Sequence, residues 1–200
     1  MFSEEKHGYR SWGGLKKQLE SLLCDALKGR ISYFYTTYHE VHNAYGRASI
    51  KLEKKELVSF SWNIGYEQWE DEYHFLKDNA ESLPQAENIW DNQKEARRTL
   101  AKEKWMPEGK LCEADFIAAA AAYVNTDISA ALCSENYLFR VFAFMDKRVG
   151  KRTLLKLREE AETLPGWVKQ FYVIRCEAEG IFQKIKIINL SKGVPYVTEK

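Results

Sequence analysis

The run Met145-Asp146-Lys147-Arg148-Val149-Gly150-Lys151-Arg152-Thr153 carries the densest set of chemically able groups in the chain. Its Gly-Lys pair suggests phosphate binding. A phosphate loop also needs a glycine five residues before Gly150 and a Ser or Thr after the lysine. Met145 and Arg152 occupy those positions, and a helical pattern rather than a strand precedes them, so no such loop is expected. The segment is nonetheless basic: Lys147, Arg148, Lys151, Arg152, Lys156 and Arg158 face Asp146 alone, a net +5. Guanidinium groups beside the free amides of a helix start near Gly150 could hold an anion, with Lys147, Arg148, Lys151 and Arg152 as its ligands. Two structural roles compete with that. Asp146 can pair with Arg148 or Arg152 to fix two helices at the break, or the basic face can dock on an acidic face of the same chain.

Other candidate chemistry is sparse. His39 and His42 are spaced i, i+3, one short of a zincin helix, and flank Glu40 in a predicted loop, with His74 as a distant third ligand. Solvated loop histidines are the expectation, with no metal and no cofactor. Glu177 and Glu179 do not share a helical face, which makes them poor acid–base partners; Arg175 to Glu179 at i, i+4 suits an ion pair. No Gly-x-Ser-x-Gly occurs and no cysteine has a histidine close in sequence, so no catalytic residue is assigned.

Aromatic residues interleaved with carboxylates give the other signal. Residues 67–95 hold nine acidic residues against Lys77 and Lys94, a net −7, and Trp62, Tyr66, Trp69 and Tyr73 fall in or beside that stretch. Tyr33, Phe34, Tyr35, Tyr38 and Tyr45 form a second aromatic cluster. Such residues either pack a core or form an exposed contact surface rimmed by acids. In the second case Glu67, Glu70, Asp71 and Glu72 would meet a basic partner, with Tyr66 or Trp69 as the anchor buried on binding.

The elements that must position these groups follow from patterning. With 200 residues, 45% hydrophobic and 14% aromatic, 11 Gly and 4 Pro, the chain can bury a core as one domain or two small ones. Disorder, collagen and a coiled rod are excluded. Thirty basic against 29 acidic residues leave no global field for nucleic acid or membrane. Residues 11–28 read as an amphipathic helix capped by Ser11 and stopped at Gly29. Alternation over 31–38, 49–52 and 57–62 predicts a three-stranded antiparallel meander, turned by the 53–56 tetrad and covered by that helix. Helices follow over 63–107, 113–124, 137–149, 153–164 and 167–180, with Asp127 or Thr126 capping a short one between. The fold class is α+β: a flexible start over 1–10, an α+β part with acidic helices over 11–107, a helical part over 108–188, and a loose tail over 189–200. Four scattered cysteines, a polar N-terminus and a longest apolar run of only Phe116 to Val124 predict reduced thiols, no membrane span and a cytoplasmic location.

Three segments share a further property. Leu15-Lys16-Lys17-Gln18-Leu19-Glu20, the 145–154 run, and Phe171-Tyr172-Val173-Ile174-Arg175-Cys176-Glu177-Ala178-Glu179-Gly180 together resemble an uncharacterised family of small bacterial proteins over about residues 11–182. The resemblance implies a bacterial cytoplasmic origin and draws attention to Asp146, Arg148, Lys151 and Arg152; it brings no activity. The expected function is a binding protein, immunity-like or regulatory, whose partner is another protein met by the acidic aromatic surface. The alternative is a nucleic-acid or phosphate-ligand binder using 147–158. A third possibility is a hydrolase or transferase whose site assembles only on folding.

Overall fold

The computed structural model describes residues 11–36, 46–81 and 89–181. His39, Glu40, His42, Tyr38, Tyr45, Pro84 and both expected loose termini lie outside them. Helix α1 (Trp12–Leu22) starts where expected, with the Gly14 amide donating to Ser11 Oγ at 3.3 Å. It buries Leu15 and Leu19. It ends six residues before the expected position, because its last backbone groups have a distant partner. Leu23 turns extended (ψ 141°) and bridges Asp146, the Lys147 amide donates to the Leu22 carbonyl at 2.8 Å, and the Cys24 amide donates to Met145 O at 2.9 Å. Tight turns then lead to Gly29, whose φ of +74° suits glycine.

The meander is present as β1 (Ile31–Thr36), β2 (Arg47–Leu52) and β3 (Lys55–Ser61), antiparallel in the order β1-β2-β3. Tyr33 faces Ile50, which faces Val58, so one face carries the β-branched and aromatic residues. The turn is tighter than the expected tetrad: only Glu53 and Lys54 lie between the strands, both at positive φ, as a two-residue hairpin turn demands. On the opposite face Phe34 stays exposed with the Lys51 ammonium 4.8 Å over its ring.

Helix α1 shares the covering of the sheet with α5 (Glu113–Tyr123). Alanines at 119 and 120 let α5 come close, and Phe116 enters the core, its ring 5.1 Å from Phe60, 5.9 Å from Phe142 and 6.1 Å from Trp12. The remaining helices are α2 (Trp62–Asp78), α3 (Ile89–Leu100), a π-helical turn (Ala101–Trp105), α4 (Met106–Glu108), α6 (Ile128–Leu132), α7 (Tyr137–Met145), α8 (Lys151–Lys156), α9 (Arg158–Thr163) and α10 (Gly166–Ala178). Trp62, read as the end of a strand, instead opens α2, its amide donating to Gly46 O at 3.1 Å. Asp127 caps α6 by accepting from the Ser129 and Ala130 amides. The expected helix over 137–149 stops at Met145, and the one over 153–164 is two helices meeting at Leu157. Buried residues from Leu15 to Ile181 join in a single core cluster.

Candidate functional site

The basic motif is built into the fold around two buried charges. Asp146 is 1% exposed and Arg175 is 2% exposed. Asp146 Oδ2 accepts from Tyr123 OH at 2.6 Å and from Arg148 Nη2 at 2.8 Å; Oδ1 accepts from the Arg148 amide at 2.7 Å and from its Nε at 3.1 Å. Arg148 also donates to Thr126 O, and its guanidinium stacks 5.6 Å from the Tyr123 ring. Hydrogen bonds to Asp146, ahead of the opposing effect of burial, hold the Arg148 pKa above its ordinary value. Burial and the Asp146 carboxylate together push the Tyr123 hydroxyl up.

Arg175 solves a different problem. The last carbonyls of a helix lack intrahelical donors. Arg175 Nη1 donates to Phe144 O and Asp146 O, and Nη2 to Val149 O, which ties the end of α7 to α10. Its Nε lies 3.3 Å from Glu179 Oε1, the i, i+4 pair expected from sequence. Glu179 in turn takes Lys151 Nζ at 3.1 Å, while Lys147 Nζ donates to Ser21 O at 2.8 Å. Of the four candidate anion ligands, Lys147, Arg148 and Lys151 therefore hold the junction of α1, α7, α8 and α10. Arg152 is exposed and has no partner among the described residues. Among the described residues α8 packs mainly on α9 and α10, and α2 on α3, α5 and β3.

The aromatic surface lies on α2. Positions 62, 66, 69 and 73 recur at helical spacing, and the four rings form a ladder with centroid separations of 6.4, 5.9 and 6.4 Å. Tyr66, Trp69 and Tyr73 are each at least half exposed, and Trp62 is 36% exposed. The carboxylates beside them divide. Glu67 and Glu70 are exposed, the first within 3.9 Å of Lys110 Nζ and the second without an ion pair among the described residues. Asp71 and Glu72 turn inward. Glu72, 5% exposed, accepts from Arg97 Nε at 2.6 Å. Asp71 accepts from Lys104 Nζ at 2.7 Å and from Trp105 Nε1 at 2.8 Å. These bonds strap α2 to α3 and the π-turn.

Between the straps and α5 a cleft of about 780 Å³ opens. Trp62, Tyr66 and Trp69 form one wall, Arg97 and Arg98 the second, and Trp105, Met106 and Leu111 the floor. The α5 wall presents Ala114, Ala118, Glu113 and Asp115. Asp115 Oδ2 is engaged, accepting from the Cys112 amide at 2.9 Å and Gln68 Nε2 at 3.0 Å, and closes a capping box with Cys112. Glu113 is different: its Oε2 is shut off from solvent with no hydrogen-bond partner among the described residues. Burial raises the Glu113 pKa, its own backbone amide opposes this, and the Asp115 charge raises it again. The neighbouring Cys112 thiol is pushed up to about 12 by burial and by Asp115.

The chain matches the SF0329 protein family over residues 11–176. It belongs to that family. The match runs from Ser11 at the cap of α1 to Cys176 in the last turn of α10, so the Asp146 and Arg175 junction and the cleft both lie inside it. No curated protein and no solved structure matches the chain. Among the described residues no helix is long and apolar enough to cross a membrane, and no group of three His, Cys, Asp or Glu side chains is placed to hold a metal.

Sequence reasoning named the four aromatic residues, as core or as an exposed surface, with Trp62 at the end of a strand, and missed the cleft beneath them. Trp105 reaches that cleft from the π-turn, which adds a residue to a helical turn and leaves no pattern in the sequence.

Proposed function

We propose that this SF0329-family chain is a bacterial cytosolic binding protein, immunity-like or regulatory, that docks another protein on the aromatic face of α2. The observation carrying this is the ladder Trp62, Tyr66, Trp69 and Tyr73, left exposed on a helix whose inward carboxylates Asp71 and Glu72 are already engaged. Large aromatic side chains in water on a folded chain represent unrealised burial, and such residues dominate protein interfaces. Tyr66 and Trp69 serve as anchors, with Glu67 and Glu70 supplying the acidic rim that steers a basic partner. Asp71 and Glu72 act one step back, holding α2 against α3 so that the face stays rigid.

A nucleic-acid or phosphate ligand at Lys147, Arg148, Lys151 and Arg152 has less support, since three of these cations already bond to the fold. An enzymatic role for the cleft lacks an activated nucleophile: a thiol whose pKa is pushed up to about 12 is protonated at neutral pH.

A photo-crosslinking residue at Glu70, with Glu159 on α9 as the control position, tests the proposal in a bacterial lysate. The expected result is one discrete protein, resistant to nuclease, captured from position 70 alone and lost in Tyr66→Ala/Trp69→Ala. That double variant should keep its melting temperature, because exposed side chains typically change stability by no more than ~0.5 kcal/mol. Equal capture from both positions, or capture indifferent to the double variant, would overturn it.

A further inference from the structure

We infer that the cleft between α2, the π-turn and α5 receives a basic side chain of the docked partner, an arginine above all, with Glu113 as its counter-charge. The inference deepens the proposal above and rests on it. Three properties of the cleft select this occupant.

Shape comes first. The α5 wall is lined by Ala114 and Ala118, and Ala101 of the π-turn also borders the space, so a slot remains where larger residues would fill it. Met106 and Leu111 add an apolar floor suited to an aliphatic stem. The second property is the aromatic wall. Trp62, Tyr66 and Trp69 border the same space, and their faces attract a cation, arginine most readily because its planar guanidinium also stacks.

Charge is the third. Of the two guanidinium groups on the α3 wall, Arg97 is held by Glu72, which leaves Arg98 as the cation without an ion pair among the described residues. Against it stand Glu113 and Asp115 within the cleft and Glu70 outside its aromatic wall, while Glu67 is offset by Lys110. The balance favours a cation over an anion. Glu113 is also the one carboxylate of the four with a side-chain oxygen shut off from solvent and lacking a hydrogen bond. A buried acceptor left unpaired costs free energy, and rotation of the Glu113 side chain into the cleft it lines would bring that oxygen to a guanidinium, which supplies donors with charge. Gly46 leaves room for this side chain: a Cβ there would lie 2.6 Å from Glu113 Cγ and Oε1.

The probe is N-acetyl-arginine amide, titrated into the full chain and followed by the indole N–H resonances of its six tryptophans. N-acetyl-citrulline amide, the same shape without charge, is the comparison. Saturable shifts are expected at Trp62, Trp69 and Trp105, with Trp12 and Trp167 unmoved, and citrulline should bind about tenfold more weakly. Glu113→Gln should erase the difference between the two probes. Trp69→Leu should weaken the arginine probe and keep the preference over citrulline, which distinguishes loss of stacking from loss of charge. The inference is overturned if arginine gives no saturable shift, if citrulline matches it on the unaltered chain, or if Glu113→Gln leaves the preference intact. These measurements need no partner. A failed titration beside a crosslink that still depends on Tyr66 and Trp69 removes the arginine pocket and leaves the docking face standing, whereas a failed crosslink alone removes the docking face.

Discussion

Asp146→Ala should lower the folding free energy by about 3–4 kcal/mol, and the size of that loss follows from what each partner is left with. Tyr123 is 1% exposed, so its hydroxyl would lose its acceptor inside the core, at a cost of about 1–3 kcal/mol. The Arg148 amide would lose a bond of 2.7 Å, worth about 1 kcal/mol. The guanidinium would suffer less: its side chain is 32% exposed and can take up water, so the penalty stays below the ~3–5 kcal/mol of a fully buried broken pair. Asp146→Asn retains an acceptor for Tyr123 and should cost about half as much. Urea unfolding read by tryptophan fluorescence and circular dichroism gives the test. With a denaturant slope of about 2 kcal/mol/M, the midpoint of Asp146→Ala should fall by roughly 1.5–2 M. Arg152→Ala, on an exposed side chain, should stay within ~0.5 kcal/mol of the parent. A loss below ~1 kcal/mol for Asp146→Ala, or additive effects of Asp146→Ala and Arg148→Ala in a double-mutant cycle, would refute the assignment of this cluster as the clasp of the fold.

Two further outcomes test other contacts. Burial alone would raise the Asp71 pKa, but hydrogen bonds from Lys104 and Trp105 outweigh it and hold the carboxyl below its ordinary value. Its stabilising contribution is therefore complete above the unfolded value of ~3.9 and is lost as pH falls through the lower folded value; Asp71→Asn should flatten that acid limb in melts taken from about pH 5 to pH 2. An unchanged acid limb would remove Asp71 from the strap. Gly109 ends α4 at φ +72°, with the Trp167 ring 3.1 Å from where a Cβ would sit, so Gly109→Ala should cost about 1–2 kcal/mol by thermal melting. Equal or greater stability of that variant would contradict the close packing of α4 on α10.

What could be read from the sequence, and what could not, divides by the range of the interaction responsible. The meander was legible because alternation over 31–38 and 49–52 is a local pattern that one buried face imposes. Ser11 and Asp127 were legible as caps because a short polar side chain reaches amides only two or three residues on. The early end of α1 was not, since the groups that stop it belong to residues 145–147. At the site, composition alone marked Tyr66 and Trp69 as aromatic residues set among carboxylates, either core or exposed, and Glu67, Glu70, Asp71 and Glu72 all had the same standing. Which of these turn inward depends on where Arg97, Lys104 and Trp105 arrive, and the π-turn decides that. The pairing of Arg175 with Glu179 was visible as an i, i+4 match; its three carbonyl bonds to the end of α7 were not.

The clasp between α1 and the turn after α7 has a consequence for synthesis. Lys147 and its acceptor at Ser21 are separated by 126 residues. At ~5–20 residues per second a ribosome needs roughly 6–25 s to make that length of chain. Within that interval, once Ser61 completes the sheet, the first helix and the sheet wait first for Phe116 and then for α7 and the carbonyl of Met145 that receives the Cys24 amide. The nascent meander, covered by α1 alone, thus leaves part of the face carrying Ile31, Tyr33, Ile50 and Phe60 open to water, far longer than a hairpin takes to form. Closure comes in two steps, with α5 first and residues 145–149 last. A chain released before the last step holds a sheet face still partly open, and its fate belongs to chaperones and proteases rather than to any partner of the finished protein.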